Sequence, residues 1–83
     1  MMPRIFLFTQ PNCLSCEVVK IFLEVREIAF EQRDITLDPL ARAEFIELYH
    51  GSSAPAVVIL MPTGPELIEG FDPDRIDHFL SAA

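Results

Sequence analysis

The sequence predicts an α/β domain: a mixed four-stranded sheet covered by three helices, in the order β-α-β-α-β-β-α. Three observations carry that prediction. Two runs of β-branched and aromatic residues, Arg4 to Thr9 and Ala56 to Leu60, read as buried strands. Apolar residues spaced three and four apart mark three helical stretches between and after the strands. The strand–helix–strand opening requires a parallel pair with a right-handed crossover, whereas the short turn Pro62-Thr63-Gly64-Pro65 joins an antiparallel pair.

Arg4-Ile5-Phe6-Leu7-Phe8-Thr9, between Pro3 and Pro11, is the first strand. Gln10-Pro11-Asn12 is a turn, with Asn12 placed to cap a helix from Cys13 to about Glu27. In that helix Val18, Ile21, Phe22, Val25 and Ile28 form the apolar face, and Glu17, Lys20, Glu24 and Glu27 the polar one. Phe30 to Ile35 is the second strand, its alternation imperfect. Asp38 caps and Pro39 opens the second helix, whose core face is Ala41, Phe45, Leu48 and Tyr49. It stops at His50-Gly51, where Gly51 suits a left-handed C-terminal cap. Ser52-Ser53-Ala54-Pro55 leads into the third strand, Ala56 to Leu60, and Glu66 to Glu69 is the fourth. After Gly70-Phe71, Asp72-Pro73 opens the last helix, with Ile76, Phe79, Leu80 and Ala83 on one face.

Residues 1–83 are expected to form one domain, with no repeat or linker. Half the residues (51%) are hydrophobic, enough for a folded core. The balance of 6 basic against 13 acidic side chains, net charge −7, argues against nucleic acid and anionic membranes as partners. No apolar run approaches the length of a membrane span, and the first residues do not read as a secretory signal. A chain this small is marginally stable alone, so a monomer or a weak dimer is expected.

The two cysteines, Cys13 and Cys16, stand three positions apart at a strand-to-helix junction. A bridge that short constrains little of the unfolded chain, so the pair is a poor structural staple. At a helix N-terminus, free N–H groups and the macrodipole stabilise thiolate. Such a site lowers a thiol pKa from about 8.5 to roughly 3.5–7.5. Cys13, the outer residue, is expected to be the exposed attacker, and Cys16, one turn inward, the buried thiol that resolves the mixed disulfide. Glu17 opposes thiolate formation, and no Lys or Arg lies within six residues of Cys13, so the activation expected is moderate. Zinc needs four ligands, and the remaining soft candidates, His50 and His78, lack paired spacing. His50 reads as a helix-end cation and His78 as a boundary residue. No metal ligand is assigned within one chain; a site shared between two chains stays open. Phe71 has two readings, core filling or the apolar wall of a substrate groove.

The segment Phe8-Thr9-Gln10-Pro11-Asn12-Cys13-Leu14-Ser15-Cys16, then Ala54-Pro55-Ala56-Val57-Val58 and Glu69-Gly70-Phe71-Asp72, resembles the glutaredoxin-like branch of the thioredoxin fold. The resemblance covers nearly the whole chain. It is strongest to the short bacterial glutaredoxin-like proteins and to the redoxins that serve ribonucleotide reductase. It implies a dithiol oxidoreductase that reduces protein disulfides, with Cys13 as nucleophile and Cys16 as resolving thiol. It also implies that the Pro55 bond, trans on its own reading, is cis and lies beside the dithiol. Ala54 would then offer its backbone to an extended substrate. The substrate-binding positions implied are Gln10, Ser53, Ala54, Pro55, Gly70, Phe71 and Asp72. The reductant is a flavoprotein reductase of the thioredoxin-reductase type or glutathione, with no bound cofactor.

Three departures from the glutathione-using pattern bear on that choice. Gln10 stands where those proteins carry Lys or Arg, and Ser53 replaces a Thr. The Gly-Gly-x-Asp-Asp run is Glu69-Gly70-Phe71-Asp72-Pro73, where Pro73 lacks an N–H and Glu69 repels an anion. These tilt the expectation toward a reductase. The competing expectation is a metal-binding or interaction module on the same fold, holding zinc, copper(I) or an iron–sulfur cluster without turnover. Two lone thiols used for turnover suit the cytoplasm.

Overall fold

The computed structural model describes residues 2–82. Among them the elements are β1 (Ile5–Thr9), α1 (Leu14–Val25), β2 (Glu31–Asp34), α2 (Pro39–Ala43) continued by a π turn (Glu44–Leu48), β3 (Ala56–Met61), β4 (Gly64–Glu69) and α3 (Pro73–Ala82). The sheet order is β2-β1-β3-β4, with β1 parallel to β2 and antiparallel to β3, and β3 antiparallel to β4. The expected mixed four-stranded sheet with three helices is the architecture observed. Ala83, expected on the core face of the last helix, lies outside the described residues, as does Met1.

Strand alternation divides the core. Ile5, Leu7, Val57, Ile59 and Ile68 face Val19, Leu23 and Ile76 on one side of the sheet. Phe6, Phe8, Ala56 and Val58 face Ala41 and Phe45 on the other. α1 and α3 therefore cover one face, and α2 with its π turn the other. β1 is buried along its whole length because both faces are covered, which is why it reads as an unbroken apolar run. β2 is shorter than expected, and its outer position leaves two of its four residues exposed.

Five local expectations are corrected. The cap of α1 is Cys13, whose Sγ accepts the Cys16 N–H at 3.1 Å, while Asn12 takes a left-handed conformation (φ 56°). The buried face of α1 is Cys16, Val19 and Leu23; Val18, Ile21 and Val25 point to solvent. Its apolar residues occupy two opposite sides, and the inward stripe is the one that continues through Ile28, joined to the helix end by Ile28 N–H to Leu23 C=O. In the second helical segment Tyr49 packs against the Phe6 and Phe8 rings as expected, but Leu48 is exposed, because the wider i→i+5 winding of the π turn shifts the face after Ala43. The left-handed residue there is His50 (φ 58°), not Gly51. Gly51 answers to crowding: a Cβ on it would collide with the buried Phe45 ring. β4 begins at Gly64 rather than Glu66, leaving Pro62-Thr63 as a two-residue hairpin turn.

Candidate functional site

The register brings three chain segments to one end of the sheet. β1 ends at Thr9, one residue beyond the Phe8–Ala56 pair, and Ala56 in turn pairs with Glu69 at the end of β4. The loop carrying Gln10 and the dithiol, the approach Ser53-Ala54-Pro55, and the exit Gly70-Phe71-Asp72 therefore share that end. All nine positions singled out in the sequence belong to it.

Cys13 and Cys16 are joined as a disulfide, their Cα atoms 5.2 Å apart. Cys13 is half-buried and Cys16 buried. The N–H of Cys16 points at the Cys13 sulfur, and in the dithiol state that donor favours thiolate over thiol. Leu14, inside the motif, is 81% exposed. Pro55 is buried and its bond to Ala54 is cis. Its carbonyl accepts the Gly70 N–H at 2.8 Å, which ties the approach to β3 to the exit from β4. Among the described residues, Ala54 makes no backbone hydrogen bond. Asp72 caps α3, accepting the Arg75 N–H at 3.2 Å. Phe71 is 49% exposed and meets Phe22 edge-on, ring centroids 5.6 Å apart, so core filling is not its role. Gln10 is exposed.

Glu69 was legible only as a repulsive charge, yet its carboxylate organises the loop. Oε2 accepts from the Ser52 N–H (2.9 Å), the Ser52 hydroxyl (2.8 Å) and the Ser53 N–H (3.0 Å). Those donors hold the Glu69 carboxyl below its ordinary value of 4.5, the Ser52 N–H contributing most, with slight burial pulling the other way. Because the folded value is lowered, the clamp contributes above the unfolded pKa and is lost as pH falls through the folded one. Glu69→Ala is expected to lower disulfide turnover several-fold at neutral pH, with Glu69→Gln intermediate. The acid loss of wild-type turnover should be blunted in Glu69→Ala; rates over a pH series check both, and wild-type rates in both variants would remove the clamp from the account. A serine pair and a glutamate 16 and 17 residues on carry no local pattern by which sequence reasoning could join them.

Among the described residues, no group of three or more His, Cys, Asp or Glu side chains is placed to hold a metal ion. No helix there is long and apolar enough to cross a membrane. His50 and His78 are both exposed.

Comparison with known proteins agrees with this geometry. The glutaredoxin family model matches residues 5–60. The SPbeta prophage-derived thioredoxin-like protein YosR of Bacillus subtilis (strain 168) is 33% identical over 79 residues, 93% of this chain and 94% of that protein. The crystal structure of the thioredoxin-like protein BC3987 superimposes with a TM-score of 0.80 at 36% identity, covering 92% of this chain and 99% of that one. The Escherichia coli NrdH-redoxin, a glutaredoxin-like protein described as having a thioredoxin-like activity profile, gives 0.71 at 29% identity, covering 90% and 92%.

Proposed function

The chain belongs to the glutaredoxin family and is a thiol-disulfide oxidoreductase, and from that premise we propose that it reduces protein disulfides and is recharged by a flavoprotein reductase rather than by glutathione. The observation that carries this reading is the apolar surface left in water at the dithiol: Leu14 beside Cys13, and Phe71 just beyond the Gly70–Pro55 tie. Such surface suits a protein face better than a small anionic tripeptide. Gln10 in place of a cation, and Pro73 without an N–H at the start of α3, favour the same choice. So does the likeness to the NrdH-redoxin.

In the reaction proposed, the Cys13 thiolate attacks one sulfur of a substrate disulfide. That S–S bond breaks, and the departing substrate thiolate takes a proton. Cys16 then gives up its proton and attacks the Cys13 sulfur, releasing the second substrate thiol and leaving the Cys13–Cys16 disulfide. The reductase returns two electrons to that disulfide. Ala54, whose backbone groups are unpaired among the described residues, lies beside Pro55 where an extended substrate strand can bond to it. Ser53 is held by Glu69, and Gly70 and Asp72 follow at the exit of β4, at the same end of the sheet as Pro55. A reducing compartment such as the cytoplasm suits this cycle.

The test is turnover in two regeneration systems, thioredoxin reductase with NADPH and glutathione with its reductase. We expect the first to be faster by about tenfold or more, since each missing charged contact to a glutathione carboxylate is worth roughly 1.5–3 kcal/mol. Faster turnover with glutathione would sink the choice of reductant.

A further inference from the structure

Beyond Leu14, the outward face of α1 is used neither by the fold nor by the dithiol chemistry. Leu14, Val18, Ile21 and Val25 are 81%, 42%, 55% and 77% exposed. At 100° per residue they form one line, diametrically opposite the buried Cys16, Val19 and Leu23. Their spacing of four, three and four is that of the seam by which one helix packs along another. An amphipathic helix serving only its own domain would carry polar residues there. The line begins at Leu14, next to the attacking sulfur.

The charges beside it point to the occupant. Glu17 and Glu24 flank one side of the seam, and neither makes a salt bridge among the described residues. Lys20 lies further round, toward the buried side, and is half-buried. On the other flank Arg26 is engaged by Asp77 and lies 4.6 Å over the Phe22 ring. A second copy of the chain is a poor fit, because antiparallel self-pairing sets Glu17 against Glu24 and joins two bodies each of net charge −7. We propose that this face docks a helix of a redox partner protein, apolar along its seam and bearing Lys or Arg where it meets Glu17 and Glu24. The proposal rests on the reading of Cys13 as attacker of protein disulfides. Docking along α1 sets the partner's sulfur at the end of the seam where Cys13 lies.

The experiment uses the reduced Cys16→Ser protein and three synthetic probes, each a cysteine activated as a mixed disulfide with thionitrobenzoate. One cysteine ends a helical peptide with a leucine seam and lysine flanks; the second ends the same peptide with glutamate flanks; the third is the free amino acid. Cys13 attacks the cysteine sulfur, the mixed disulfide breaks, and thionitrobenzoate leaves as a coloured thiolate. The lysine-flanked peptide should react about tenfold or more faster than the other two at low salt, through the raised effective concentration of a docked reagent. Adding Val18→Ser and Ile21→Ser should erase that preference while leaving the free-cysteine rate unchanged. Equal rates for the two peptides, or a preference that survives the double substitution, overturn the docking face. No reaction with any probe, the free cysteine included, overturns the underlying reading of Cys13 and the proposal with it. Sedimentation should show a monomer for both proteins; a wild-type dimer that the double substitution dissociates assigns the face to a second copy and overturns the proposal.

Discussion

Replacing Cys13 by serine is expected to abolish disulfide reduction, by at least about a thousandfold, because the hydroxyl cannot supply the nucleophile on which the cycle depends. Cys16→Ser should fail differently. Its first step remains, since the half-buried Cys13 keeps its place at the start of α1, with the backbone N–H of residue 16 facing the sulfur. Without a resolving thiol the protein stops as a mixed disulfide with its substrate. Mass spectrometry of non-reduced samples checks this, expecting an adduct in Cys16→Ser and none in Cys13→Ser. An adduct through position 16 in Cys13→Ser would reverse the roles. Burial makes that reversal hard: Cys16 is 3% exposed, and a substrate disulfide cannot reach it without opening the helix end.

The second large effect concerns the scaffold. Gly51→Ala should destabilise the domain by about 1–3 kcal/mol, since the added methyl must displace a packed aromatic ring. The ring is that of Phe45, 2% exposed and packed at a tilt against Phe8 with ring centroids 5.1 Å apart, so it has little room to retreat. In a domain of this size each kcal/mol lowers Tm by roughly 4–8 °C. A thermal melt checks the loss, and Phe45→Leu in the same background should recover part of it by making room. An unchanged melt would mean that the second helical segment shifts freely, against the hydrogen bond from Gly51 N–H to Phe45 C=O at 2.8 Å.

Gly51 also marks where sequence reading succeeded and where it stopped. A glycine at a helix end suggests a left-handed cap, and the residue does end the segment, but His50 takes the positive φ. What requires glycine is a ring six positions back, brought near by a π turn that leaves no trace in residue spacing. The faces of α1 were misread for a related reason. With apolar side chains on two opposite sides, periodicity identifies a helix but cannot say which side meets the sheet. β1, β3 and the Asp38 and Asp72 caps were plain, because burial on both faces and short-range capping are written in neighbouring residues. The dithiol was legible by its place between β1 and α1. The carboxylate bonds from Glu69 to Ser52 and Ser53 were not, since they depend on the pairing of β4 with β3.

The two outer strands bear on how the protein behaves in a crowd. β2 and β4 are the sheet's free margins, where unpaired N–H and C=O groups invite strands from other molecules. β2 is only four residues long, and Glu31, Arg33 and Asp34 make it costly to stack against a copy of itself. Arg33 is also tied inward to Glu44 at 2.6 Å. β4 carries Pro65, which donates no hydrogen bond, and two glutamates. A chain whose third strand, Ala56 to Met61, would be an aggregation hazard in the open thus encloses it between guarded margins. The folded sheet offers a second copy two short, charged or proline-bearing edges in place of its apolar centre.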